Sequence, residues 1–398
     1  MKEKECGSSK AWGVKVLPFY LFTFLLFALS GCIEEYEADF PTEDTDLLTV
    51  EGTICSEKVN RFILSRTQSL KSGNTIQLVT GALLSVRGSD GSEYPAQAAD
   101  GYYACTTGAL NPDVEYYLHI ETDGEVYESE PQKPLRTEEI ADVRGVQYTP
   151  ENNIDILVTP EAPFESDKVN YYSWTYDETW EVRPDYTTIF YYDISSMGPV
   201  YDPNQFPERG WRDVRSTMTM VGGSQNYEGE HIQKLKIYDI DASNERIYYK
   251  YSALVHQRAI SKAEYEYELA RCQASSEMGG LFTPQPSFLP TNIHCLTSSK
   301  RAIGFVGCSL NMSEYRFFLS AKDFHIRRPV KSDTRLWVEN PTHKACLQLL
   351  DDGRFLCVWE DERDIGGSLL TAWAYGYQLD VRYKGAYIEK PDFWEDEE

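Results

Sequence analysis

The stretch EYYLHIETDGEVYES, residues 115–129, decides the fold. Tyr116, Leu118 and Ile120 alternate with Tyr117 and His119, the two-residue repeat of a strand with one buried face. Asp123-Gly124 interrupts the run, and Val126 and Tyr127 follow it. Alternation broken by an Asp-Gly pair predicts a hairpin. The same signal extends outward: Leu48, Val50 and Ile54 share a face, and Ala82, Leu84 and Val86 do so again before Asp90-Gly91. Short strands with no helix between them predict a small antiparallel sandwich over residues 47–137, closed by Pro131 and Pro134.

Residues 138–398 read as a larger, less regular β-sandwich-like domain, so the chain as a whole is mainly β. Ile154, Ile156 and Val158 alternate, as do Tyr172, Trp174 and Tyr176, and later Tyr375, Tyr377 and Leu379, all suggesting sheet faces. The stretch 185–229 is rich in Tyr, Asp, Pro, Gly and Ser and predicts long loops around short strands. One helix stands out near residues 261–274. Ser261 and Glu264 have capping-box spacing, and Tyr265, Leu269 and Cys272 fall on one face. With the polar remainder facing water, this is expected to be a surface helix packed on a sheet.

The N-terminus addresses location. Lys2, Lys4, Lys10 and Lys15 precede an apolar run from Val16 to Leu29, shorter than the roughly 20 residues of a membrane-spanning helix. Residues 1–31 therefore read as a signal peptide, and Leu29-Ser30-Gly31-Cys32 resembles the bacterial lipobox, with Cys32 as the lipidated residue. An acidic tether, residues 32–46, follows. The formal net charge of −25 argues against a nucleic-acid partner, which needs clustered Lys and Arg.

Chemistry-bearing motifs are scarce. Cys55, Cys105, Cys272, Cys295, Cys308, Cys346 and Cys357 follow Cys32, an odd set without a C-x-x-C pair. A four-residue loop, Leu350 to Gly353, would oppose Cys346 and Cys357 across a hairpin and make them a candidate disulfide; two separate buried thiols are the alternative. Cys272 with Cys295, and Cys55 with Cys105, are weaker pairings suggested by domain membership. The six histidines show no metal-ligand spacing, and no nucleophile elbow or phosphate loop occurs, so no catalytic residue, cofactor or metal is assigned. Asp239 to Asn244 has calcium-loop oxygens, but Asn244 and Lys250 stand where such a loop needs glycine and glutamate, which favours an Asp-rich turn. The 28 Tyr and 8 Trp are a surplus. Alternation assigns Tyr172, Trp174 and Tyr176 to the core and leaves Tyr171, Ser173 and Thr175 outward. Trp180, Tyr186, Tyr191, Tyr192 and Tyr201 lie in the irregular part and are the candidate ligand or partner contacts.

Several passages together resemble one family. LLTVEGTI, GALLSVRGSDG and residues 100–129 are similar to the opening module of the Bacteroidota lipoproteins grouped as domain of unknown function 4249. YYKYSALVHQRAISKAEYEYELARCQ, FTPQPSFLPTNIH, RAIGFVGCSLNMSEYRFFL and KGAYIEKPDFW resemble its later parts. Thr291 stands where the family often has glycine before Asn292 and Ile293. The resemblance implies an outer-membrane lipoprotein, often encoded near TonB-dependent receptors, with an immunoglobulin-like or transthyretin-like first module. In such lipoproteins acidic residues after the cysteine, here Glu34, Glu35 and Glu37, look like a signal for the outer face of the outer membrane. The family has no assigned catalytic residues. The resulting expectation is a non-catalytic, surface-exposed lipoprotein that binds a ligand or a partner barrel as an accessory to TonB-dependent uptake. Alternatives are a surface hydrolase with a site assembled in the second domain, or a structural subunit of an outer-membrane assembly.

Overall fold

Asp123 (φ 51°) and Gly124 (φ 77°) both take the left-handed conformation, and Thr122 pairs with Glu125 across them. This is the two-residue turn that an Asp-Gly pair favours, its twist matching that of the strands. The computed structural model describes residues 46–67, 76–164, 168–277 and 290–396. The expectations for the signal peptide, Cys32 and the tether up to Thr45 lie outside the described residues.

The chain opens with β1 (Leu48–Glu51), β2 (Thr53–Cys55), β3 (Val59–Arg66), β4 (Gln77–Leu78), β5 (Leu83–Gly88), β6 (Glu93–Ala99), β7 (Tyr102–Thr106), β8 (Tyr116–Thr122) and β9 (Glu125–Ser129). Then come β10 (Ile140–Val146), β11 (Ile154–Pro160), β12 (Tyr171–Val182), β13 (Phe190–Asp193), β14 (Gly198–Tyr201), β15 (Gly210–Arg215), β16 (Met220–Gly223), β17 (Leu235–Ile240) and β18 (Lys250–Ile260). Helix α1 (Lys262–Glu277) precedes β19 (Ile293–Cys295), β20 (Ala302–Gly304), β21 (Gly307–Ser309) and β22 (Ser313–Ser320). The chain ends with β23 (Leu336–Glu339), α2 (His343–Asp351), β24 (Arg354–Asp361), β25 (Leu369–Tyr375) and α3 (Gly376–Leu379).

One sheet runs β19-β9-β8-β5-β6-β7-β3-β1-β20, with β4 beside β3. Its two end strands come from the later part of the chain, and a bridge between His294 and Arg301 nearly closes it on itself. The first module is thus completed by residues from beyond its expected boundary at 137. Phe62, Tyr116, Leu118, Ile120 and Tyr127 form its core together with Ile293, Ala302 and Val306. Gly304 (φ 137°) lies parallel to Val50, whose carbonyl occupies the space any side chain would need. Just before β19, Thr291 donates to the Gly304 carbonyl at 2.8 Å and Asn292 bonds Val306 through both its side-chain atoms. The threonine in the family's glycine position is therefore used as a donor.

The second core lies between the sheets β10-β11-β17 and β15-β12-β18-β22, with β16 also on β12. Ile154, Ile156 and Val158 pack with Tyr172, Trp174, Tyr251 and Val255, as their alternation predicts. Trp174 Nε1 donates to Gln257 at 2.9 Å, and Gln257 donates to the Glu138 carbonyl at 2.8 Å, so these two buried side chains are paired. A third group joins the sheet β23-β25-β24, helix α2 and the β13-β14 hairpin through Tyr192, Cys346, Leu349, Leu356 and Trp373.

Two expectations are corrected here. Tyr377 and Leu379 belong to α3 and not to a strand, because β25 ends at Tyr375. Cys346 is on α2, which Thr342 caps by accepting from Ala345 N at 3.2 Å, so the hairpin that would have opposed it to Cys357 does not form. The two thiols are free and sit in different apolar clusters, since Leu356 and Cys357 point to opposite faces of β24. Cys55, Cys105, Cys272 and Cys295 are free as well.

Candidate functional site

Helix α1 turns charge inward. Ser261 accepts a hydrogen bond from Glu264 N at 3.1 Å, as the predicted cap requires, but the Glu264 carboxylate reaches to Arg258 of β18. Both terminal guanidinium nitrogens of Arg258 donate to that carboxylate, one of them at 3.1 Å. Both partners are nearly buried, with side chains 12% and 5% exposed. Burial works against the Arg258 charge, yet the neighbouring Glu264 more than offsets it and raises its pKa. One turn on, Glu268 accepts from Arg271 Nε at 2.8 Å. Burial pushes the Glu268 carboxyl up, against the pull of that arginine.

These residues line a cleft of about 480 Å³ at the seam between the nearly closed sheet and the second core. Thr49, Glu51 and Cys55 contribute from β1 and β2, and Ser173, Thr175 and His256 from β12 and β18. The outward face of β12, expected to meet solvent, is thus partly roofed by α1, and Ser173 is buried. His256 stands between Asp177 (3.2 Å) and Glu314 (3.3 Å). Tyr267, pushed up to about 12 by burial, packs near Phe305 on the cleft wall. Gly307 admits the Glu264 carboxylate: a Cβ there would lie 2.7 Å from its carbon. The result is a concave surface of hydroxyls and matched charges that offers hydrogen bonds of both senses. Two of its carboxylates, Glu264 and Glu268, are held by arginines, which suits recognition of a polar ligand better than proton transfer.

The residues expected to form a contact surface do not come together. Trp180 is buried, 3% exposed, because it continues β12 into the second core, with Arg212 over its ring. Tyr192 is also buried and holds His343 Nδ1 at 2.9 Å through its hydroxyl. Tyr186 is half-buried, its hydroxyl accepting from Thr334 N at 2.8 Å. Tyr191 is half-buried on β13, and Tyr201 on β14 is exposed. Asp239 to Asn244 forms the expected turn, Asp241 accepting from Ser243 N and Oγ at 2.7 Å. The cleft residues Glu264, Glu268 and Arg271 are not marked by the sequence, since a charged stripe on a helix ordinarily means a solvated face, and Arg258 lies on β18, outside that stripe. The local signal is the recurrence of Glu264, Tyr267, Glu268 and Arg271 at helical spacing, beside a thin apolar stripe.

Fold and cleft together define a mainly β, multi-sheet protein with a polar recess at the seam of its two larger cores. The chain belongs to the family described as domain of unknown function DUF4249, whose model matches residues 33–314. No curated protein matches it. Among solved structures it is similar to a trypsin-activated α2-macroglobulin from Escherichia coli, with 10% identity and a TM-score of 0.18. A mutant α2-macroglobulin from Salmonella gives 12% identity and a TM-score of 0.18. Each comparison covers 57% of this chain, which spans 15% and 14% of those two chains.

Proposed function

We propose that this protein is a lipid-anchored outer-membrane protein of the cell surface, binding a polar ligand or a partner barrel as an accessory to TonB-dependent uptake. The lipobox-like Leu29 to Cys32 and the acidic residues Glu34, Glu35 and Glu37 support the anchor and its outward direction. The seam cleft carries the binding role: it is concave, lined by polar groups already held in place, and bounded by two separate cores. Pre-organised donors and acceptors favour capture because little order is lost on binding.

The test is purification of the full chain from its native membrane in mild detergent, with mass spectrometry of what accompanies it. A stoichiometric TonB-dependent barrel, together with release of the Cys32→Ser variant from the membrane fraction, is the expected result. Membrane retention of Cys32→Ser would overturn the anchor. Recovery of the wild-type chain alone would overturn the obligate complex and leave direct ligand capture as the form to measure.

A further inference from the structure

A second concavity, distinct from the seam cleft, concentrates positive charge on this strongly acidic chain. It measures about 390 Å³ and forms where the end of β12, the start of β18 and the end of β22 meet. Arg183, Arg209, Lys250, Lys322 and Arg328 line it, against two acids, Glu181 and Asp396. The wall therefore carries a formal excess of three positive charges, in a chain whose net charge is −25.

The way these cations are held matters more than their number. Glu181 is buried, and its two oxygens accept from Arg183 Nε at 2.6 Å and Arg209 Nη2 at 2.8 Å. One carboxylate thereby orients two guanidinium groups. Lys250 and Arg328 are held differently, by the backbone carbonyls of Glu395 and Tyr248. Their remaining support is aromatic: Lys250 Nζ lies 4.8 Å from the Phe318 ring centre, and Arg328 lies 5.1 Å from that of Tyr249. Arg183 faces the Tyr249 ring as well, at 4.5 Å. Carbonyls and ring faces fix a cation without cancelling its charge. Like charges gathered in a concave wall repel one another and focus a positive potential, a cost that a bound anion would remove.

We infer that this groove binds an oligoanion carrying at least two sulfate or phosphate groups. Arg183, whose Nε alone is given to Glu181, would grip one group with its two terminal nitrogens, and Lys250 with Arg328 would take a second, while Arg209, committed to Glu181 and Asp396, braces the wall behind them. Sulfate and phosphate esters share this chemistry, so the probes separate the two sources.

The experiment uses the full chain in neutral-headgroup detergent at low salt, titrated with a sulfated tetrasaccharide and, separately, with inorganic tripolyphosphate, with acetate as the single-charge control. Saturable binding of one or both oligoanions is expected, weakening as salt rises. Arg183→Gln, Lys250→Gln and Arg328→Gln should each weaken it by about tenfold, the loss of one charge-assisted contact. The triple variant should lose it, with a lower unfolding midpoint because Arg183→Gln takes one of two partners from buried Glu181; the Lys250→Gln, Arg328→Gln double variant should lose most of the binding while keeping the wild-type midpoint. Binding of the sugar alone assigns a sulfated source, and of tripolyphosphate alone a phosphorylated one. Failure of both probes, or a folded triple variant that binds like the wild type, would overturn the inference. Neither result depends on whether a barrel accompanies the protein or on the seam cleft.

Discussion

Arg258 and Glu264 show how much rests on a single pair of side chains. Replacing Glu264 with Gln leaves a nearly buried guanidinium without its counter-charge, and the expected cost is about 3 to 5 kcal/mol. Removing both charges at once, as Arg258→Met with Glu264→Leu, should recover most of that loss, because the desolvation penalty disappears with the pair. Urea denaturation of the two variants measures the difference; equal destabilisation would show that packing, and not the uncompensated charge, sets the cost. At this scale the sequence was readable where a residue's fate depends on its neighbours in the chain. Tyr172 and Trp174 are core residues as their alternation indicates. Trp180 and Tyr192 were assigned to a contact surface and are buried, because the length of β12 and the packing of β13 are set by partners elsewhere in the chain.

Helix α1 is the element whose existence was plain and whose orientation was not. Its cap is local: Ser261 accepts from Glu264 N at 3.1 Å, so Ser261→Ala should cost about 1 kcal/mol, within the usual range of roughly 0.5 to 2. Thermal or urea unfolding of that variant checks it, and no change would mean that tertiary packing alone holds the first turn. The apolar stripe was expected to face the sheet and the polar side to face water. Tyr265 does pack against Tyr171, with ring centres 4.8 Å apart, and Cys272 donates to the Thr219 carbonyl at 3.2 Å. Leu269 is nevertheless exposed, while Glu264 and Tyr267 are buried over the seam cleft. A charged side chain enters such a place only when a partner of opposite sign waits there, and Arg258 comes from a different element. Helix α2 is not legible in the sequence, because its Asp352-Gly353 end, beside Cys346 and Cys357, resembles a hairpin turn.

The molecule as a whole is tied together by a short return of the chain. Leu48 to Val50 pair in parallel with Ala302 to Gly304, and β19 pairs with β9, so both ends of the first sheet come from residues 293–304. A fragment of residues 46–137 would expose β1 and β9 as open edges and lack Ile293, Ala302 and Val306 from its core. We expect it to lack the cooperative unfolding transition of the full chain, as followed by circular dichroism; a sharp transition in the fragment would show that the first module folds alone. By itself the sequence determined the mainly β class, the Asp123-Gly124 hairpin, the capped start of α1 and the family, since each is written in spacings of a few residues. Only the tertiary structure decided the nearly closed first sheet, the inward charges of α1 and the two clefts. These depend on segments far apart in the chain meeting, and on whether a charge finds its counter-charge there, which no local pattern encodes.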